Sequence, residues 1–472
     1  MTTSMTRLRT LTLSLMALGL SACASLAPDY ARPDAPVRSQ WPAGGAVSTA
    51  TEATPAAELA WQAYFPDPRL QQLIGQALAN NRDLRVAVLN IASARAQYRI
   101  QRAGRFPSVS ADASQSAART PGELTSSGEP TISRQYSASL GVSWEIDLFG
   151  RIRSLQDQAL ETYLATEEAR RATQISLVAE VADAWLTLAA DQALLDLARR
   201  TYDTRAESLA LMQRSYELGA ASRLDLSQLQ STTARARADL AAAQAQVAKD
   251  RNAIELLAGG AVDASWLPAS LADVAQPVAE LPAGVPAEVL VRRPDVLQAE
   301  RQLRAANANI GAARAAFFPS INLTGSYGSA SANLDGLFES GSRAWTFVPS
   351  VSLPIFNAGA LRASLDVAEL QRDIRVANYE KAIQSAFREV ADALADRTTI
   401  TERVDAVTAL VAAARKSFEL SDARYRNGLD SYLAQLDAQR TLYSAEQELI
   451  AVRLVEASNR VALYKVMGGG WQ

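Results

Sequence analysis

Asn81–Ser114 reads NRDLRVAVLNIASARAQYRIQRAGRFPSVSADAS, and Arg292–Ser326 reads RRPDVLQAERQLRAANANIGAARAAFFPSINLTGS. The two stretches are variants of one pattern. Asp83 matches Asp295, and Phe106-Pro107 matches Phe318-Pro319, both 212 residues apart. Two later landmarks follow in the same order. Phe149 in WEIDLFGRIR lies 207 residues before Phe356 in SLPIFNAGALR, and Tyr216-Glu-Leu-Gly219 lies 209 before Tyr425-Arg-Asn-Gly428. Ordered landmarks at a nearly constant offset indicate an internal duplication. Each copy reads as helix, two short strands, very long helix, turn, long helix.

The opening helices are expected over Leu70 to Arg105 and Ala287 to Ala316, each ending before its Phe-Pro, because the residue preceding proline is pushed out of α space. The long helices are expected over Arg153 to Leu218 and Leu361 to Asn427. At 1.5 Å per residue such a helix is a rod of about 100 Å, far beyond the globular norm. It needs a coiled-coil or tunnel-like assembly, with the helix returning after Gly219 or Gly428 as its neighbour. Those glycines suit helix ends that require positive φ.

Four segments alternate. Tyr136 to Leu148 places Tyr, Ala, Leu, Val, Trp, Ile and Leu on one side and Ser, Gly, Glu and Asp on the other. Ile321 to Gly328, Trp345 to Leu353 and Ser108 to Ser114 follow the same rule. Strands of this length with one apolar and one small polar face suit a membrane barrel; a soluble sandwich also alternates. Inside a bilayer, four strands leave two open edges whose backbone groups must be paired elsewhere, so other subunits must close them. Pro121 to Pro130 and Asn333 to Ser342 are then the outward loops. Glu145 and Asp147 fall on the polar face and are read either as lumen residues or as merely solvated ones. Trp144 and Trp345 are read either as interface anchors or as core.

The chain begins MTTSMTRLRTLTLSLMALGLSAC, a basic start, a short apolar run and small residues before Cys23. This is the layout of an export signal. It resembles a bacterial lipoprotein signal, whose cysteine becomes the lipid-bearing first residue; Ala24, rather than aspartate, resembles the outer-membrane sorting case. Residues 25–60, rich in Pro, Ala, Thr and Ser, read as an extended, weakly structured arm.

Composition narrows the function. Basic and acidic residues nearly cancel, 47 against 50, so no field for nucleic acid exists. The chain of 472 residues has no histidine and a single cysteine, which excludes His-based catalysis, His-ligated metals and an intrachain disulfide. Glycine clusters near Gly44 and Gly468 lack the context of a phosphate loop. Nothing points to an enzyme, a cofactor or a metal.

These pieces together resemble the TolC/OprM family of outer-membrane factors, in its NodT-like lipoprotein branch of RND-type efflux channels. The resemblance rests on Leu-Ser-Ala-Cys23, the two Phe-Pro exits, Arg293-Pro294-Asp295, Trp-Glu-Ile-Asp-Leu-Phe-Gly from Trp144, Leu-Pro-Ile-Phe-Asn-Ala-Gly from Leu353, and YRNGLDSYLAQLDAQRTLYSAEQELI from Tyr425. It implies a mixed α and β subunit with two structural repeats. A homotrimer would join four strands per subunit into a twelve-stranded outer-membrane barrel, continued by a long periplasmic α-helical barrel. It implies a passive conduit for drugs or other small toxic solutes. The conduit would meet a periplasmic adaptor (membrane fusion protein) and an RND-type inner-membrane transporter. Cys23 would carry the covalent lipid, of the palmitate type.

The expected division is a signal peptide over 1–22, a lipid-anchored arm over 23–65, a first repeat over 66–285, a second over 286–466 and a tail over 467–472. Tyr216, Gly219, Gly428 and Leu429 mark the hairpin tips and the docking end. Tyr425 and Asp437 match positions resembling the family's tyrosine latch and one constriction carboxylate; Ala434 stands where a second aspartate is expected. Asp430 is the other gate candidate. Three copies of one aspartate around an axis make an acidic ring that favours cations. Alternatively, both aspartates lie on a solvated face and Tyr425 packs at the turn. Other functions compatible with parts of the pattern are an exit duct for type I protein secretion, served by an ABC exporter, and a non-conducting lipid-anchored coiled-coil spacer.

Overall fold

The computed structural model describes residues 25–38, 41, 58–274 and 287–471. Cys23 and the expected signal peptide lie outside the described residues. The elements run α1 (Trp61–Tyr64), α2 (Pro68–Asn80), α3 (Arg82–Ala103), β1 (Ser108–Thr120), β2 (Thr131–Ile146), α4 (Arg151–Glu217) and α5 (Arg223–Ala258). Then follow α6 (Pro294–Ala315), β3 (Ser320–Ser331), β4 (Arg343–Ser352), α7 (Ala360–Arg426) and α8 (Tyr432–Val466). Two compact units result, one from residues 1–34, 90–167 and 298–380, the other from 35–89, 168–297 and 381–472.

The first unit holds the sheet, an antiparallel meander in the order β1-β2-β3-β4. Its registers put the apolar positions of all four strands in common rows. Val109 faces Val142, Val142 faces Gly325, and Gly325 faces Phe347. Trp144 faces Leu323, which faces Pro349. The other face is polar and zipped by hydroxyls, with Ser114 to Ser137 and Ser326 to Thr346 both at 2.8 Å. The apolar face is open: Trp345, Phe347 and Val351 are all largely exposed. Among the described residues, the outer edges of β1 and β4 have no strand partner.

The arm was expected to be extended and weakly structured. Much of it, residues 39–40 and 42–57, lies outside the described residues; residues 25–32 are extended, yet docked along α6. Arg314 donates to the Leu26 carbonyl (3.3 Å) and Asn307 to the Pro28 carbonyl (2.7 Å). The Tyr30 hydroxyl donates to Glu300 (3.1 Å), and Arg32 forks onto the same carboxylate (3.2 and 2.6 Å). The six residue steps from Leu26 to Arg32, about 20 Å at roughly 3.3 Å each, thus run antiparallel to the fourteen helical steps from Glu300 to Arg314, about 21 Å at 1.5 Å each. Gly311 permits the approach, since a Cβ there would sit 2.7 Å from the Ala27 nitrogen. Burial opposes ionisation of Glu300, but hydrogen bonds from Arg32 and Arg304 outweigh it and hold its pKa below the usual range.

The second unit anchors the remaining chain. The expectation of an arm to residue 65 yields here, because Trp61, Tyr64 and Phe65 are buried around α1. Tyr64 stacks on Tyr464 (4.0 Å between ring centroids), and each hydroxyl donates to a backbone carbonyl, that of Arg460 or Leu59. Arg293, which is buried, bridges Asp295 (2.7 Å) and Glu389 (2.8 Å) and donates to the Val466 carbonyl. The helix expected from Leu70 to Arg105 breaks at Asn81. Its backbone is extended (ψ 134°), and its Oδ1 accepts from the N–H groups of Asp83 and Leu84, an N-cap geometry. Likewise the helix expected from Ala287 begins at Pro294, after a 3-10 turn, with proline at the first position.

Two carboxyls of α4 face poor solvation. Asp183 is pushed up to about 6 by burial, against a hydrogen bond from Ser458 and the charge of Lys465, with Glu180 adding to the rise. Asp191 is also raised to about 6, by burial and by sharing a hydrogen bond with Asp250 of α5, while the Gln246 amide opposes the shift. Both folded-state values lie above that of an exposed carboxyl, so the native state binds more protons over this range. Stability of the helix pairs is therefore expected to rise as pH falls through about 6, the gain being complete below the ordinary value of 3.8. Thermal unfolding between pH 5 and 7.5 checks this: Asp250→Asn should flatten the slope relative to the parent.

Candidate functional site

The strand-to-helix junction occupies Glu145 to Arg153 in the first unit. Asp147 lies just past β2 and accepts from the N–H groups of Ile152 (3.1 Å) and Arg153 (2.7 Å). These are among the unpaired donors of the first turn of α4, where a carboxylate also meets the positive end of the helix dipole. Glu145 accepts both arms of Arg151 at 3.0 and 2.7 Å. Beside them, Phe149 stacks on Phe318 at 4.8 Å. The two carboxylates singled out from the sequence thus orient the helix leaving the sheet. The polar-face assignment of Glu145 follows from its register opposite Asn322.

The two hairpin turns lie in the second unit and share one backbone design. After α4, the Gly219 N–H donates to the Tyr216 carbonyl (2.9 Å) and Ala220 to Ser215 (2.8 Å). After α7, Gly428 donates to Tyr425 (2.9 Å) and Leu429 to Arg424 (2.9 Å). Gly219 and Gly428 have φ of +74° and +70°. This is the Schellman termination, which only residues tolerant of positive φ close without strain. Ser222 caps α5 through the Asp225 N–H at 3.0 Å, whereas Ser431 makes no side-chain cap to α8.

One cluster joins the hairpins: Met212, Leu226, Leu229, Tyr432 and Leu436 are buried, with Tyr216 and Tyr425 packed against them. Tyr425 lies 5.5 Å from Tyr432, ring to ring. Its pKa is raised by burial and by the charge of Asp225. Leu429 is 67% exposed at the turn. Asp437 is an exposed side chain of α8.

Asp430 is not a lone carboxylate. Arg424 forks onto it, Nε to Oδ2 at 2.6 Å and the terminal nitrogen to Oδ1 at 2.9 Å. The guanidinium holds the carboxyl below the ordinary aspartate value. Sequence reading left this arginine unidentified. Its signal was available: Arg424 stands in the last turn of a helix, where a cation is favoured, six residues before an aspartate across a glycine turn. Among the described residues, no group of three His, Cys, Asp or Glu side chains could hold a metal ion. No described helix is long and apolar enough to cross a membrane.

Two outcomes are expected from this geometry. Asp147→Ala should cost about 1 kcal/mol of thermal stability, as loss of an N-terminal cap usually does. Arg424→Gln should raise the Asp430 titration midpoint toward that of a free aspartate, read by carboxyl carbon-13 NMR; an unmoved midpoint would show that the ion pair does not exist in solution.

Comparison with known proteins bears on the whole chain. A family model described as "Outer membrane efflux protein" matches residues 73–260 and 285–469. The toluene efflux pump outer membrane protein TtgC of Pseudomonas putida is 53% identical over 463 residues, covering 98% of this chain and 95% of that protein. The antibiotic efflux pump outer membrane protein ArpC of Pseudomonas putida is likewise 53% identical over the same coverage. Among solved structures, the open state of the Neisseria gonorrhoeae MtrE outer membrane channel aligns with a TM-score of 0.84 at 39% identity, over 95% of this chain and 99% of that one. A four-stranded sheet and helices far longer than a globular domain needs fit these relatives. The chain belongs to the outer membrane efflux protein family, in its TolC/OprM-type branch, and is the outer-membrane, periplasm-extending channel component of a bacterial efflux system rather than an enzyme.

Proposed function

We propose that three copies of this chain close a twelve-stranded barrel in the outer membrane, which their long helices continue as a periplasmic tunnel. The conduit is passive and carries drugs and other small toxic solutes. An RND-type inner-membrane transporter supplies them and the driving force, through a periplasmic adaptor that meets the hairpin tips at Gly219, Gly428 and Leu429. The observation that carries this reading is the four-stranded sheet with apolar residues in common rows and two unpaired edges. In hydrocarbon those edges are untenable unless another subunit pairs them.

The remaining roles belong to the same reading. Cys23 carries the covalent lipid after removal of 1–22, and the arm that starts there, which gives way to the buried turn at Trp61–Phe65, leads into the first repeat, 66–285, which the second, 286–466, and the tail, 467–472, follow. Tyr425, Asp430 and Asp437 narrow the tunnel's periplasmic end, with Arg424 neutralising Asp430. Glu145 and Asp147 stand at the lumen's junction with the tunnel. The efflux-pump names of the relatives favour small solutes over secreted polypeptides.

The test replaces the gene in its own host with the chain or an empty locus. Loss of the chain should raise intracellular retention of a fluorescent efflux substrate several-fold, and reintroduction should restore export. Unchanged retention, with the parent protein present as an outer-membrane trimer, would exclude small-solute efflux.

A further inference from the structure

The registers of the sheet sort its charged residues by face and by end. On the apolar face, Trp144 stands in one row with Leu323 and Pro349, and Leu140 in another with Tyr327, which faces Trp345. Further from the helices the rows change character. Gln115 faces Tyr136 and donates to its hydroxyl at 3.3 Å, Ala117 faces Arg134, and Arg119 faces Ile132. Arg343, the first residue of β4, lies on the same face opposite Ser329. The basic residues of the four strands are these three arginines, each among the four residues nearest the loop end of its strand. The acidic ones, Asp112 and Glu145, lie on the polar face, opposite Ser139 and Asn322. All three arginine side chains are exposed, and among the described residues none has a carboxylate partner.

A guanidinium on a lipid-facing surface costs most at mid-depth and least at the interface. The ten steps from Ile146 to Tyr136 span about 34 Å at roughly 3.4 Å each, a height of about 26 Å at a barrel tilt of roughly 40°. That is the height of a membrane barrel's apolar band, about 25 Å. The apolar rows fill the hydrocarbon, and Arg134 and Arg119 emerge beyond Tyr136, at the end away from the helices. Arg134 sits diagonal to Arg119, an offset of roughly 7–8 Å between paired strands. Like charges so placed repel each other, and an anion between them removes the repulsion. The guanidinium fork matches phosphate bidentately. Ile132, opposite Arg119 and 62% exposed, offers apolar contact beside the charges. The occupant this fits is an amphiphile with phosphate at its head and acyl chains along the apolar rows.

We propose that Arg119 and Arg134 hold a phosphate of the outer leaflet's glycolipid, a bisphosphorylated, acylated disaccharide of the lipid A type. This rests on the membrane barrel proposed above, which makes the apolar face the lipid-facing one. Its chains lie over the rows from Trp144 to Tyr136, and its headgroup meets the two guanidinium groups above them. Arg343 adds a cation on the same face at the loop end of β4. The separation of sign carries the assignment: a rim that needed only hydration could mix both charges, whereas here the cations face lipid and both strand carboxylates face the other way.

The test uses the full chain purified from outer membranes in mild detergent, with synthetic bisphosphorylated lipid A as the probe. Native mass spectrometry reads retained glycolipid, and titration reads affinity. The parent should bind the probe about tenfold more tightly than the variant with Arg119→Gln and Arg134→Gln, which loses two charge-assisted forks. Arg119→Lys with Arg134→Lys should fall between them, since lysine keeps the charge and loses the fork. Adding Ser116→Arg and Gln135→Arg to the glutamine pair restores the charge on the polar face, where these two residues oppose each other, and binding should stay weak. Removing both phosphates from the probe should cost the parent a similar factor, a comparison that decides even if the glutamine pair fails to insert. Equal binding by parent and glutamine variant, recovery by the polar-face arginines, or undiminished binding of the dephosphorylated probe would overturn the site and leave the barrel standing. Displacement of the probe by inorganic phosphate, or by phosphatidylglycerol vesicles, at equal phosphate concentration would overturn the assignment to glycolipid. Labelling of Phe347→Cys by a membrane-impermeant, water-soluble maleimide in intact outer membranes would instead overturn the barrel reading, and this site with it.

Discussion

A β-strand pairs its backbone on both sides or leaves a row of donors and acceptors bare. Among the described residues β1 and β4 each leave one side unpaired, and nearly all their residues are exposed on both faces. In water such edges invite aggregation; in hydrocarbon each unpaired group costs several kcal/mol. The remaining design follows from that debt. Strand number and alternation, with Leu89 and Ile100 exposed on α3 and Leu370 and Ile374 on α7, fit the ring proposed above.

The connection between sheet and helix is the second element of that design. A strand ending in Ile146 must hand over to a helix beginning at Arg151 within a few residues. Asp147 fixes the first turn by accepting its free N–H groups, and Glu145 pins Arg151. The direction in which α4 departs is thus set by charge-assisted contacts together with the packing of Phe149 on Phe318 and the burial of Ile152. Glu300 plays a comparable part for the arm: its carboxylate is buried and serves Tyr30, Arg32 and Arg304 together.

Local patterns were legible in the chain, and long-range ones were not. The long helices begin and end within two residues of expectation, because glycine turns, caps and composition punctuate them. The strands were visible through alternation, and the registers of the sheet align their apolar rows. Asn81 was missed as a break, although Asn followed by an acidic residue in the first helical turn is a start signal. The docked arm could not be read locally. Its partners lie some 270 residues away, at Glu300 and Asn307, and a Pro-rich segment looks loose until those partners are known. The fork of Arg424 onto Asp430 sat within one turn and was open to local reading; the cluster packed around Tyr425, which joins both hairpins, was not.

The hairpin turns carry one more consequence. Their backbones are copies, yet the positions equivalent to Arg424 and Asp430 are Ser215 and Ala221. The second turn bears a tight dipole made by its Arg424–Asp430 ion pair, which the first turn lacks at the equivalent positions. A ring of three chains would therefore display six hairpins of alternating character. A partner assembled from six identical modules can recognise what the turns have in common, their Schellman backbone, since the exposed Leu218 and Leu429 stand at non-equivalent positions. A partner built from three can also read the charge. The stoichiometry of whatever binds there is thus written into which atoms it touches, since duplication preserved the shape of the turn and let its electrostatics diverge.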